Sequence, residues 1–560
     1  MAVRSYIRSG FIAACSACSL SAQSGSGDPL VARFYRAFAS VDSATTPGCA
    51  VGVRRRGLPS LIRTYGMVDL ETPTPIDSVS IFEAGSVSKQ FTAAAVLLLS
   101  YDGKLSLDDD VRRWIPEFPA SLGRITIRQL LEHQAGLRDW GDIVELSGWP
   151  RGTRAYQMNE IADMLARQSA LNFTPGSEYS YSNSNFIIAA VIVARASGES
   201  FASFTTRRIF APLGMTHTSW RDDYTRRVPH RAVAWTPDDA GVWHQDMPFE
   251  NVVGPGALLT TVGDLLRWQA SFRDGSLGGP RFSVDMRRPG TLRDGRVTGY
   301  ALGLEISKEY GVDVVSHGGS TAGYRAYLGE VPESGTMVAL LCNNGAIRSD
   351  LLGPQLLAQA NGDTTAAGED APPALGPAAA NGPRALLLGQ FRNMRTGQTV
   401  QLRPFRDGVT LNTWVGFRER GAQQFVSDDG ARTLTVGEIR RGTLLRFRIA
   451  YVTGDFIEYE RADPWMPTTV ALRDFAGEFR SADADANWTL RVAGDSLRVT
   501  RRTGQSDALV AKYRDAFTVP NQGWLVTFRR DARRRVTGFE VRTTRMRAMG
   551  FARSTPPRLR

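Results

Sequence analysis

Residues 91–99 read Phe-Thr-Ala-Ala-Ala-Val-Leu-Leu-Leu. A helix built from them is apolar on every side, so it has no solvent face and must lie inside a core. The chain leading into it is polar: Phe82-Glu83-Ala84-Gly85-Ser86-Val87-Ser88-Lys89-Gln90. Ser86 and Lys89 are nearly one helical turn apart, which sets hydroxyl and amine on one face. Lysine is otherwise scarce: of 67 Lys+Arg residues, only Lys89, Lys104, Lys308 and Lys512 are lysine. Where the chain wants a plain positive charge it uses arginine. A lysine kept against that habit points to a task arginine cannot do, namely giving up its proton inside a protein. A serine at the mouth of a buried helix with an amine one turn on is a nucleophile beside a proton acceptor. Taken alone, the pair reads equally well as a helix cap and a snorkelling charge, so partners downstream must decide.

Two follow in order. Tyr181-Ser182-Asn183 lies in a polar run behind the Pro175-Gly176 turn and ahead of the apolar helix 187–194. Val312–Val315 reads as a strand and runs into His317-Gly318-Gly319-Ser320, where paired glycines let a substrate lie against the backbone. Ser-x-x-Lys, Tyr-x-Asn and His-Gly-Gly, in that order, resemble the penicillin-recognising serine hydrolase superfamily. Within it the chain resembles the class C β-lactamase branch, with its D-aminopeptidases, DD-peptidases and esterases. Leu130-Leu131-Glu132-His133-Gln134-Ala135-Gly136-Leu137, Arg207 to Met215 and Gly254-Pro255-Gly256-Ala257-Leu258 look like further landmarks of that family, and the resemblance spans roughly residues 30–350.

The resemblance implies an α/β fold: a β-lactamase/transpeptidase-like domain, with an antiparallel sheet, flanking helices and an all-helical region. It implies catalytic roles for Ser86, Lys89, Tyr181 and His317. Ser86 attacks an amide or ester carbonyl, Lys89 and Tyr181 share the proton, and Lys89 lowers the tyrosine's pKa. The backbone N–H groups of Ser86 and Ser320 form the oxyanion hole. Asn183, Gly318, Gly319 and Ser320 bind substrate, with Asn183 also holding Lys89, and His317 bonds Tyr181 or the substrate. Arg325 is placed to meet a substrate carboxylate, and Asp139 and Trp140 to line the cleft. His133 is expected to fix its loop by hydrogen bonding, while His217, His230 and His244 are left to surface or packing roles. One departure matters: β-lactamases of this branch have lysine where His317 stands, a permanent cation instead of a group only partly charged at neutral pH. His-x-Gly is the variant of D-aminopeptidases and esterase-like relatives.

Beyond this region, residues 361–383 are rich in Gly, Ala, Pro and Thr without apolar periodicity, hence a linker. Short alternating runs then repeat themselves: Gly389-Gln390-Phe391-Arg392 returns 88 residues later as Gly477-Glu478-Phe479-Arg480. Two antiparallel β-barrel-like domains, 384–463 and 468–560, follow a hydrolase domain over 28–360. D-aminopeptidases carry such a pair, and there a barrel loop shapes the pocket. The linker is expected to leave the first 360 residues a self-contained unit.

From Arg384 onward there are 32 Lys+Arg against 18 Asp+Glu, +14, which leaves 35 against 38, −3, for the remainder. No nucleic-acid motif accompanies the surplus, so solvated faces or an anionic cell envelope are the partners considered. Residues 1–22 read as an export signal, which places the enzyme in the periplasm or outside the cell; a lipoprotein box at Cys15 has too short an apolar stretch before it. No later segment is apolar for long enough to span a membrane. Cys49 and Cys342 each sit in an apolar strand and read as separate buried hydrophobes, although the family fold would bring these strands together. No His/Cys cluster has metal-ligand spacing, and no cofactor is expected. The function implied is an exported serine hydrolase of small amide, peptide or ester substrates, D-amino-acid compounds among them, working through a Ser86 acyl-enzyme. The alternatives are a β-lactamase or penicillin-binding DD-peptidase, and a non-catalytic binding protein on the same fold.

Overall fold

The computed structural model describes residues 29–363 and 387–554, apart from 406–407, 413–414, 422, 428–431, 452–455 and 521. The expected export signal at 1–22, and 364–383 of the expected linker, lie outside the described residues. Two units are distinguished, Met1–Ser40 and Val41–Arg560. The described part of the first is helix α1, Pro29–Phe38, an amphipathic helix with Leu30, Phe34 and Phe38 along one side.

The second unit is organised around an antiparallel sheet of six strands: β1 (Cys49–Arg54), β2 (Leu61–Tyr65), β3 (Glu305–Glu309), β4 (Val312–Thr321), β5 (Tyr324–Val331) and β6 (Thr336–Cys342). Their spatial order is β3-β4-β5-β6-β1-β2. The N-terminal strands therefore pair with the last strand, and everything that builds the helical region is inserted between β2 and β3. Residues facing each other across the ladders share a face, and neighbours along a strand alternate. Gly52, Ala339 and Leu328 form one row, and Val51, Leu340 and Tyr327 the adjacent row. Helix α5 (Val262–Asp274) covers the first face, with Leu266 against Gly52. Helix α6 (Ser349–Ala360) covers the other, where Gly353 sits so close to Tyr327 that no side chain would fit. The result is three layers, helix on sheet on helix.

The apolar segment is helical, as its composition requires. Helix α2 (Ser88–Tyr101) buries every residue from Ser88 to Leu99 and packs against α4 (Asn183–Ser197), equally apolar in its middle. Between them in sequence lies α3 (Trp140–Ser147), capped by the Asp139 side chain.

Both repeats open a closed eight-stranded antiparallel barrel: Gly389–Asn393 begins the first, which ends at Arg461, and Gly477–Ser481 begins the second, which ends at Arg553. The first barrel has its own apolar core around Phe391, Phe417, Phe447 and Tyr459. The second does not stand apart. Its aromatic core around Trp488, Phe539 and Phe551 is continuous with that of the hydrolase region. Trp488 Nε1 donates to Leu146 O across the junction at 3.0 Å, and buried Arg138 pairs with Asp483 at 2.6 Å. The first 360 residues are thus not self-contained, because one side of their core is completed by the second barrel.

A second correction concerns the cysteines. Cys49 and Cys342 face each other directly on β1 and β6 and form a disulfide. Strand pairing decides this, and neither local sequence carries it. Among the described residues, no single helix is long and apolar enough to cross a membrane.

Candidate functional site

The site forms where the mouth of α2 meets the glycines of β4. Gly85 turns the chain with φ +51° into a short 3₁₀ turn, Gly85–Val87, that presents Ser86. A β-carbon on Gly85 would lie 2.6 Å from the Ser320 backbone nitrogen, and one on Gly319 would lie 2.1 Å from Ala84 O. Only with glycine at both places do the Ser86 turn and the β4 backbone approach closely enough for their N–H groups to share one oxygen.

Lys89 is fully buried. Its Nζ lies 2.9 Å from Ser86 Oγ, 2.8 Å from Asn183 Oδ1 and 2.8 Å from Pro255 O. Burial, and next the charge of Arg545, hold the amine well below its ordinary pKa. The Gly-Pro-Gly landmark thus acquires a function that its sequence did not disclose: Pro255 supplies the third contact to Lys89. Asn183 is steadied from behind, its backbone N–H donating to Asp139 Oδ2 at 2.6 Å.

Tyr181 stands beside the pair, with Lys89 Nζ 4.8 Å from its ring centroid. Burial raises the phenol's pKa, opposed first by the Ser86 hydroxyl and then by Arg545. The expectation that Lys89 lowers the tyrosine is therefore corrected: burial is the largest influence on the phenol, and it raises it. His133 behaves as expected of a loop-fixing residue, receiving Ser182 N–H at 3.2 Å and lying 3.0 Å from Asn185 Nδ2.

His317 differs from expectation. Its Nδ1 is 2.6 Å from Gly318 O, which can only accept, so Nδ1 carries the proton; its Nε2 then accepts from the Tyr300 hydroxyl at 2.9 Å. Tyr181 is not its partner, because both ring nitrogens are already engaged. Burial, and next Lys89, press the imidazole pKa down to about 3, so it is neutral at physiological pH. Tyr300 was missed in the sequence; an aromatic set between glycines (Gly299-Tyr300-Ala301-Leu302-Gly303) just ahead of the His-Gly-Gly strand was the available signal.

Arg325 is the other correction. It faces Ser320 across the β4–β5 ladder, in the row that points to the α6 side of the sheet. Its guanidinium donates to Ala322 O at 2.6 Å and Tyr324 O at 2.8 Å, in the field of Asp246 and Asp350. The cleft over Ser86 is lined instead by Asn183, Ser320, Trp140, Arg151, Arg221 and Arg545. Asp139 lies behind it, bonded to Asn183 N and capping α3. Gly318 and Gly319 lie on β4 beside the Ser86 turn as expected, with Gly319 making the close approach.

Arg545 comes from the loop between the last two strands of the second barrel, Val536–Arg542 and Met549–Arg553. No motif announces it, since it is one arginine among many and its neighbours in space are more than 350 residues away in sequence. Asn172 clamps the loop from the hydrolase side, donating to Arg545 O and accepting from Arg547 N, both at 2.9 Å.

A family model described as Beta-lactamase matches residues 34–361. The chain is similar to penicillin-binding protein 4* of Bacillus subtilis, 31% identical over 277 residues that cover 47% of this chain and 60% of that protein. It is also similar to the D-aminopeptidase of Cereibacter sphaeroides, 27% identical over 450 residues that cover 79% of this chain and 81% of that protein. In fold, it is like the octameric penicillin-binding protein homologue from Pyrococcus abyssi, with TM-score 0.53 and 19% identity over 77% of this chain and 99% of that one.

Proposed function

Because the chain belongs to the Beta-lactamase family and is a serine hydrolase, we propose that it cleaves small amide, peptide or ester substrates through an acyl-enzyme on Ser86. The observation that carries this reading is the set of partners around Lys89. Two of its three neighbours, Asn183 Oδ1 and Pro255 O, can only accept hydrogen bonds. A neutral amine donates to both and turns its lone pair to the third, the Ser86 hydroxyl at 2.9 Å. As Ser86 Oγ attacks, Lys89 takes its proton; the ammonium formed then has three N–H groups and three acceptors. The carbonyl oxygen becomes an oxyanion between the backbone N–H groups of Ser86 and Ser320. Tyr181, kept as a phenol by burial, protonates the departing amine or alcohol and is recharged from Lys89. Water, with Lys89 again neutral, releases the acid.

Similarity to the D-aminopeptidase supports D-configured amides and short peptides as substrates. A neutral His317, where β-lactamases of this branch keep a lysine, weighs against efficient β-lactam turnover. Similarity to penicillin-binding protein 4* supports DD-peptidase action as the second reading. The Cys49–Cys342 disulfide supports work outside the reducing cytoplasm.

The test is covalent capture. The wild-type protein, treated with a fluorophosphonate or labelled penicillin and digested, should carry the label on the peptide containing Ser86, and Ser86→Ala should carry none. Label on another peptide would refute the assignment. D-aminoacyl anilides, nitrophenyl esters and nitrocefin assayed together sort the substrate classes, and stable penicillin acylation without turnover favours the DD-peptidase reading.

A further inference from the structure

Resting on that reading of Ser86, we propose that Arg545 of the second barrel is the substrate-carboxylate receptor of this site, so that the preferred substrates are short amides or esters bearing a free carboxylate. Three guanidinium groups line the cleft over Ser86, and two are already engaged. Arg221, almost fully buried, bonds both oxygens of Glu83 at 2.8 and 3.1 Å. Arg151 is paired with Glu250. Arg545 differs. Its side chain is 44% exposed, and the carboxylate paired with it among the described residues, Asp139, comes no nearer than 3.9 Å at Oδ2, too far for a hydrogen bond. Asp139 Oδ2 already receives Asn183 N–H at 2.6 Å, and Oδ1 receives Gly141 N–H at 2.9 Å.

The guanidinium lies 5.1 Å over the ring of Tyr181, so its plane is steadied while its N–H fork has no hydrogen-bonded partner among the described residues. Its backbone is fixed by Asn172 on one side, and Arg547 of the same loop pairs with Glu178 at 3.0 Å on the other. A held, unpaired guanidinium fork beside the nucleophile is complementary to a planar carboxylate, which it can bind through two parallel hydrogen bonds. Among the described residues near the nucleophile, the other candidates are all engaged elsewhere. Lys89 serves Ser86, His317 is bonded to Tyr300 and Gly318, and Arg325 is turned to the far face of the sheet.

Three nitrophenyl esters test this: a neutral butyrate, a hemisuccinate with its carboxylate on the acyl part, and a butyrate ester of a carboxylated nitrophenol with the charge on the leaving group. The wild-type enzyme should favour one of the two anionic esters over the neutral one in kcat/KM. Arg545→Ala should reduce that ratio by about ten- to a hundredfold, the range for a charge-assisted hydrogen bond. Arg545→Lys, a point charge without the fork, should fall between, and Arg545→Glu should reverse the preference; circular dichroism confirms that each variant is folded. A ratio that is the same in wild type and folded Arg545→Ala overturns the proposal while leaving the Ser86 chemistry standing. A wild-type enzyme that hydrolyses none of the esters and is not labelled at Ser86 overturns the hydrolase reading and this one with it.

Discussion

Gly319→Ala isolates the contribution of the strand backbone to catalysis. The added β-carbon would stand 2.1 Å from Ala84 O and 3.1 Å from Ala326 Cβ, whereas contacts below 3.0 Å do not occur at real β-carbons. The strand or the Ser86 turn must therefore retreat by at least 3.0 − 2.1, about 1 Å, since both obstructing groups are held. Ala84 is tied by its N–H to Leu258 O at 2.8 Å, and Ala326 lies on the central strand β5. The group displaced is the Ser320 N–H, one of the two proposed oxyanion donors. Losing one such donor costs about 10²–10³ in kcat, about 2.7–4 kcal/mol, and a displacement of about 1 Å alone reaches the lower end. The assay is ester hydrolysis with kcat and KM separated, together with the rate of Ser86 acylation by a fluorophosphonate. The loss should fall on kcat and on acylation, with KM changing little. Gly318→Ala is the packing control, because its β-carbon would enter open space. A folded Gly319→Ala enzyme within tenfold of wild-type kcat would refute the oxyanion role of Ser320.

Lys89→Arg should be nearly as inactive as Lys89→Ala, because arginine keeps the charge and cannot accept the Ser86 proton; substantial activity in single-turnover acylation would reduce Lys89 to an electrostatic role. On the proposed scheme the neutral amine is the working form, so kcat/KM should decline as pH falls through the lowered Lys89 pKa and be sustained above it. Arg545→Ala removes the second cause of that lowering and should move the acid limb to higher pH, whereas a limb seen only near pH ~10, where an ordinary lysine titrates, would contradict the scheme. Asp483→Ala should cost about 3 kcal/mol in urea unfolding, the lower end for breaking a buried pair, since Arg138 is 5% exposed and keeps Gln168 Oε1 at 2.9 Å. A cost below about 1 kcal/mol would mean that the junction relaxes around the orphaned charge.

The parts of the site that were legible in the sequence are those whose chemistry is local. Ser86, in the 3₁₀ turn at the mouth of α2, and Lys89, in the first turn of a helix whose composition forces burial, are three residues apart, so their contact follows from spacing. Asn183 and the His-Gly-Gly strand were legible through their order along the chain and their likeness to a family. The failures share a physical cause, because each concerns which side of an element a residue faces or what lies across from it. Arg325 is one position out of phase with the catalytic face of β5, and period-two alternation sends it to α6. The His317–Tyr300 bond and the Cys49–Cys342 bridge depend on packing between segments that no local pattern relates. The barrels were visible because a strand-and-turn texture repeated, but the repeat conceals their difference: the first has a closed core, and the second lends its core to the hydrolase.

That asymmetry gives one arginine of the C-terminal half, Arg545, a structural meaning. A site whose histidine is neutral and whose lysine is engaged by Ser86, Asn183 and Pro255 has to import any free positive charge it offers a substrate. Several other barrel arginines are matched by acids: Arg392 and Arg446 share Glu460, Arg448 pairs with Glu458, and Arg530 with Asp515 and Asp474. Arg545 has no such hydrogen-bonded match among the described residues, and it is carried by the barrel whose core is fused to the hydrolase. A loop on an independently moving domain could not hold a guanidinium to the tolerance that bidentate recognition needs. Fusing the cores, and clamping the loop through Asn172 and Glu178, converts an appended barrel into a fixed wall of the active site.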